Sequence, residues 1–277
     1  MHRFFWMILI ILNWKSAYGQ ITDKQSEKAS MVIGKWLSKS TGHYDFHSAT
    51  TVNPLRAGSK FFGIPNIQMA SDYGISYMDA PRDLDVTNAY KTIGADTSNM
   101  DTSLGLSRFH LNLGFGNKHD LTLSYLIPQV EGIKGWGAGY KRVISRDRYL
   151  FFTYRLNYSR SSREDYFTSI SFTNDLSLSI YLRLIDIYIG LRHWSGNVKF
   201  YSTIPALELP EMDYISELHE IEHYVGVTAA TTTNSRFTFE LNSIGNQYAL
   251  AGKLSLHFDS LFPTFNNWFR DPRYIKQ

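Results

Sequence analysis

The chain of 277 residues contains no cysteine. No disulfide can staple it, so its fold must be held by hydrogen bonding and packing alone. The same absence removes the lipid-accepting thiol that a lipoprotein needs after its leader. A surplus of one charge is also missing. Arg3 and Lys15 lie in the first nineteen residues, and setting them aside from 28 Lys and Arg leaves 26 against 25 Asp and Glu. Such a balance gives no basic footprint for nucleic acid. Mean hydropathy is −0.25, and beyond the N-terminus there is no apolar run near the roughly 20 residues that a membrane-spanning helix needs. No phosphate-binding glycine loop, zinc-ligand spacing or protease motif occurs, so neither a cofactor nor a metal is expected. His219 and His223 flank Glu220 and Glu222, but strand positions four apart lie roughly 13 Å from each other and cannot share one ion.

The N-terminus carries the one long apolar run. His2 and Arg3 precede an unbroken stretch from Phe4 to Leu12, and Ala17 and Gly19 place small residues three and one positions before Gln20. This is the pattern of a secretory signal over residues 1–19. Its apolar core is too short to cross a bilayer as a helix.

Aromatic residues are plentiful, at 15% of the chain with 18 Tyr and 18 Phe. They fall in alternation. Phe109, Leu111, Leu113 and Phe115 are interleaved with Arg108, His110, Asn112 and Gly114. After the polar turn Asn117–Asp120, Leu121, Leu123, Tyr125 and Ile127 resume the pattern. Strand side chains alternate between faces, so this is a hairpin with one apolar and one polar face. Hairpins of the same kind recur as far as Phe258. The first strand is expected at Ile67–Met78. In Tyr166–Leu182 the residues Tyr166, Ile170, Phe172, Leu176, Leu178, Ile180 and Leu182 all fall on even numbers, and the stretch reads as one long strand. Asp79–Ser103 and Trp194–Ser216 read as long polar loops. The segmentation gives ten strands, or twelve if the long strand divides or Asn197–Ile204 pairs. Gln20–Thr41 carries a short helix or a loose arm, with Met31, Val32, Trp36 and Leu37 near one face.

The last strand places Tyr248, Leu250, Gly252, Leu254, Leu256 and Phe258 on alternate positions. It resembles the terminal strand of bacterial outer-membrane β-barrel proteins, which ends in Phe and is read by the barrel-assembly machinery. In this chain nineteen residues follow Phe258. The resemblance implies an all-β fold, an antiparallel transmembrane β-barrel over residues 59–258. A signal peptide (1–19), a periplasmic N-terminal arm (20–58) and a periplasmic C-terminal tail (259–277) complete the expected chain. It also implies the cell outer membrane as location, with outer-membrane lipid and the assembly machinery as partners. The long loops 79–103 and 194–216 would be the contact surfaces for an extracellular ligand. With the N-terminus in the periplasm, both of those loops fall outside.

On the polar face lie Arg108, His110, Lys141, Arg155, Arg183, Asp186, Arg192, Glu220, Glu222, Arg236, Glu240 and Lys253. Ten strands leave a narrow lumen. Charges inside it must be paired, because desolvating an isolated ion costs several kcal/mol. A structural, binding or narrow-pore role follows. A second expectation concerns His193-Trp194-Ser195, which looks like the His-x-Ser of outer-membrane phospholipase A and lipid A deacylases. It would make His193 the base and Ser195 the nucleophile of a lipid hydrolase. A third is an exported soluble barrel with its apolar face turned inward around a small apolar ligand.

Overall fold

A computed structural model describes residues 23–42, 44, 46, 59–61, 64–92, 98, 103–115, 118–128, 132–146, 149–164, 167–182, 184–200, 214–231, 235–244 and 247–258. The signal sequence, the C-terminal tail and Arg183 lie outside the described residues.

Eleven strands run in chain order: β1 (Ser59–Phe61), β2 (Ile64–Pro81), β3 (Ser103–Phe115), β4 (His119–Ile127), β5 (Ile133–Arg146), β6 (Leu150–Arg163), β7 (Phe167–Leu182), β8 (Ile185–Phe200), β9 (Tyr214–Ala230), β10 (Ser235–Ile244) and β11 (Gln247–Phe258). Each of β3 to β11 pairs antiparallel with its sequence neighbour. β2 pairs with both β3 and β11, which closes β2–β11 into a ten-stranded barrel. β1 adds a short pairing at the start of β2. The unbroken β7 is the long strand expected from the even-number phase.

Three expectations about element bounds are corrected. β2 runs Ile64–Pro81, three residues longer at each end than Ile67–Met78; within it the polar Asp72 points inward, 3.4 Å from Lys253. The segment 79–103 is not structureless. It carries the helix α2 (Leu84–Thr92), started by Asp83, whose carboxylate accepts from the Val86 N–H at 2.7 Å. The loop expected at Trp194–Ser216 loses both flanks, since 194–200 belong to β8 and 214–216 to β9; 201–213 lie outside the described residues.

The two faces of the wall differ sharply. Arg155 and Arg192 are fully buried inside, whereas Leu123 and Ile189 are more than half exposed outside. The soluble-barrel expectation needs the opposite polarity and is overturned by it. One barrel end has short connections at 116–118, 147–149, 183–184 and 231–234. The other carries the connections at 82–102, 128–132, 164–166, 201–213 and 245–246.

The N-terminal helix α1 (Asp23–Thr41) sits in the barrel mouth at the long-connection end, packed on β7, β8, β9 and α2. It is neither a loose arm nor a helix lying outside the barrel. Its first turns are exposed, and Ser38–Gly42 are buried. Ala29 and Ile33 meet Ala89 of α2. The Trp36 indole N–H donates to the Pro81 carbonyl at 2.9 Å, and the Arg82 guanidinium lies 5.6 Å from the Trp36 ring.

Candidate functional site: a stoppered lumen and an outer wall

The inner face of the barrel is polar because its strands alternate, and much of that polarity is paired. Asp120 and Lys141, opposite each other on β4 and β5, form an ion pair at 2.8 Å with both side chains buried. Asp72 meets Lys253 and accepts from the Asn112 amide at 3.0 Å. Arg192 is the hub of the upper lumen. Its Nε lies 3.1 Å from Asp175, its Nη1 donates to Asn242 at 3.1 Å, and its Nη2 lies 3.7 Å from Glu240. The Tyr188 hydroxyl donates to Glu240 at 2.7 Å. Between these charges run hydroxyl and amide pairs on facing strands: Ser159 with Ser171, Asn157 with Thr173, and Thr228 with Thr238. A buried ion is costly unless its charge is met; here Asp120–Lys141, Asp175–Arg192 and Asp72–Lys253 pair charges across neighbouring strands, while buried atoms such as Arg192 Nη2 and Glu240 Oε1 make no hydrogen bond.

Two tyrosines use glycine to fit. The register sets Tyr188 opposite Gly226, and Gly190 opposite Tyr224. Each ring lies against the glycine facing it, in the space a Cβ would take. The two rings meet edge to face, 6.2 Å apart.

The helix α1 is the stopper of this lumen. Lys39 is ion-paired with Glu222 at 2.8 Å and with Glu220. Burial pushes the Lys39 ammonium down, but Glu222 and Glu220 together outweigh it and hold the group above the ordinary lysine value. The Ser169 hydroxyl donates to Ser38 at 2.8 Å, and Thr41 shares a hydrogen bond with Ser161 at 2.6 Å. The Arg108 guanidinium donates to the carbonyls of Thr41 and Gly42 at 2.6 and 3.1 Å. A cation placed on the free carbonyls of a helix C-terminus offsets the partial negative charge there. Beyond the helix, Tyr44 lies under Arg192, ring to guanidinium 4.7 Å, and meets Trp194 edge-on. Phe46 is buried deeper, beside His110. The Trp194 indole N–H donates to Glu222 at 2.5 Å, and Gly42 packs against its ring.

The polar-face residues are placed as follows. Arg108, His110, Lys141, Arg155, Asp186, Arg192, Glu222, Glu240 and Lys253 are buried inside the barrel. Glu220 is half-buried under α1, and Arg236 is half-buried toward the short-turn end. Trp194, expected at the start of a long loop, belongs with the inner set. Its even number shares the phase of Asp186 and Arg192, and that signal was available in the sequence. Tyr44 and Phe46 had no such signal, since they lie in an irregular segment. On the last strand, Tyr248, Leu254 and Leu256 are exposed on the outer wall, Gly252 is half-buried, and Phe258 packs on Tyr73.

His193 and Ser195 lie on the outer wall of β8. The register sets Asn174 opposite His193, and both Phe172 and His219 opposite Ser195. The His193 and His219 rings are 6.5 Å apart and nearly parallel. The Ser195 hydroxyl donates to the Phe172 carbonyl at 3.5 Å, and Asn174 accepts from the Tyr154 hydroxyl at 2.7 Å. His193, Ser195, His219 and Asn174 are thus neighbours in the register of the outer wall, with the Ser195 hydroxyl turned to the backbone.

No protein-family model matches the chain, and no curated protein matches it. The solved structures it resembles are bacterial outer-membrane β-barrel proteins, a general likeness without a subfamily. Neisserial surface protein A is 14% identical, covering 68% of this chain and 94% of that chain at a TM-score of 0.30. The KdgM porin is 12% identical, covering 68% and 98% at 0.35. Outer membrane phospholipase A from Escherichia coli is 10% identical, covering 78% and 99% at 0.30.

Proposed function

We propose that this protein is an integral outer-membrane β-barrel whose lumen is stoppered by its own N-terminal helix, so that it acts through its surfaces and not as an open diffusion path. The observation that carries the reading is the inverted polarity of the wall, with ion pairs inside and a belt of Leu, Ile, Phe and Tyr outside. Only a closed barrel satisfies every strand hydrogen bond within lipid, and an outward apolar band over a polar interior is the membrane-barrel pattern. Long connections of such barrels face the exterior. On that orientation α1, within the 20–58 segment expected as a periplasmic arm, lies in the outer mouth, and α2 belongs to the surface available to an extracellular ligand.

The test is extraction, electrophoresis and conductance of the full chain. The reading expects release only with detergent, a mobility shift on boiling, and no steady conductance in a planar bilayer. Recovery in the soluble exported fraction would remove the membrane placement. Discrete conductance steps from the intact chain would remove the stopper.

A second reading is lipid hydrolysis on the outer wall, favoured by the register that gathers His193, Ser195, His219 and Asn174. An imidazole would take the Ser195 proton as the oxygen attacks the ester carbonyl, hand it to the departing alcohol when the C–O ester bond breaks, and then activate a water that hydrolyses the acyl-serine to fatty acid and free Ser195. Ester release from phospholipid vesicles by the native chain, lost in Ser195→Ala, supports it. Full activity in Ser195→Ala removes it.

A further inference from the structure

Three of four adjacent strands of the outer wall place cations in one patch. At the long-connection end, the register aligns Lys134 of β5, Ser162 of β6, Thr168 of β7 and Lys199 of β8 in a single outward row. Lys134 is exposed, and the other three are half-buried. Arg160, exposed, stands one row nearer the barrel middle, opposite Trp136. Strands lie about 4.8 Å apart and rows about 7 Å apart, so two lysines about 14 Å apart and one arginine bracket a floor of two hydroxyls. Glu217, diagonal to Lys199, borders the patch on β9, and Glu164 lies at its rim. Among the described residues, the outward side chains at the same end of β2, β3 and β11 carry no cation: they are Asp79, Ser103 and Tyr248.

Beneath the cations runs an aromatic stack. Trp136 and Tyr158 have ring centroids 5.1 Å apart, and Tyr158 and Phe172 are also 5.1 Å apart. Below that, Leu156 shares its row with Asn174 and His193, and further down Leu176, Leu178, Ile189 and Leu191 are all exposed. Aromatic side chains mark a membrane–water interface, and Lys and Arg just above it attract anionic headgroups.

We propose that this face of β5–β8 is a docking site for an acyl lipid with an anionic phosphate headgroup. Lys134, Arg160 and Lys199 take the phosphate, Ser162 and Thr168 donate hydroxyls to it, and the acyl chains lie over the leucines below. The inference rests on the membrane reading above. Arginine suits the phosphate because its planar donors reach two oxygens at once, whereas the lysines act as point charges.

The test incorporates the full chain into nanodiscs of phosphatidylcholine and phosphatidylglycerol and measures, by native mass spectrometry, which lipids stay bound on release. The native chain should retain phosphatidylglycerol over phosphatidylcholine by about tenfold, and Lys134→Gln/Arg160→Gln/Lys199→Gln should bring the ratio near one. Arg142→Gln, exposed on β5 toward the opposite end, should keep the preference. Heat-modifiability shows that each variant is folded. Equal retention of both lipids by a folded native chain would overturn the docking site alone, as would an unchanged preference in the folded triple variant. Failure of the native chain to enter nanodiscs would overturn the membrane reading and the site with it.

Discussion

Lys39 of α1 and Glu222 of β9 form an ion pair 2.8 Å long, with both side chains withdrawn from solvent. It ties a residue near the N-terminus to one more than 180 positions later, and it holds the helix in the barrel mouth. Removing one partner of a buried pair leaves the other charged and unmet.

Lys39→Ala should therefore lower stability by about 3–5 kcal/mol, read as the midpoint of urea unfolding in detergent micelles. Lys39→Met combined with Glu222→Gln should recover much of the loss, because neither charge is then stranded. A double variant no better than the single one would mean that the pair is not coupled.

The same contact has a pH signature. The Lys39 value is raised in the fold, so its contribution is complete below the ordinary lysine value of about 10.4 and disappears as pH rises through the higher folded value. Protease cleavage within α1 should stay slow from neutral pH to about 10 and accelerate only above it. Lys39→Met should abolish that alkaline step.

Deleting residues 23–46 removes α1 together with Tyr44 and Phe46. The remaining barrel should give discrete conductance in a planar bilayer where the full chain gives none. Silence in the folded deletion would mean that the side chains around Arg192 close the path without the helix.

The outer wall should punish charge according to depth. Leu178→Arg lies mid-belt on β7 and should cost about 2–4 kcal/mol in folding into lipid vesicles, whereas Thr168→Arg, at the rim of the same strand, should cost about 0–1. Equal costs would argue against a bilayer around this wall.

Gly190 has a Tyr224 ring where its Cβ would be. Gly190→Ala should destabilise by about 1–3 kcal/mol through overpacking, and Tyr224→Leu in the same chain should relieve part of it. The melting temperature of the folded band on electrophoresis is the readout.

Much of the barrel is written in period-two alternation. Residues such as Leu176, Leu178 and Ile180 keep their parity past Asn174 and Asp175, so β7 was legible as one strand and the ring as ten. The stopper was not. A buried Lys39 looks like any surface lysine until Glu220 and Glu222 are brought beside it, and that proximity is a property of closure. Asp83 was a readable start signal for α2, obscured by the polar residues around it. Trp194 was readable by phase, but its neighbours His193 and Ser195 drew attention to the opposite face of the same strand.

The short strand β1 pairs with β2 at the short-turn end, while α1, which precedes it, fills the mouth at the other end, and Phe46 between them is buried beside His110. A ring that encloses part of its own chain is a topological commitment. The seam between β2 and β11 joins the first and last staves, so it can seal only after β11 has been made. By then the N-terminal segment must already lie within the curve of the sheet, or else enter afterwards through a mouth narrowed by α2. Either route makes the placing of the N-terminal segment part of the closing of the ring.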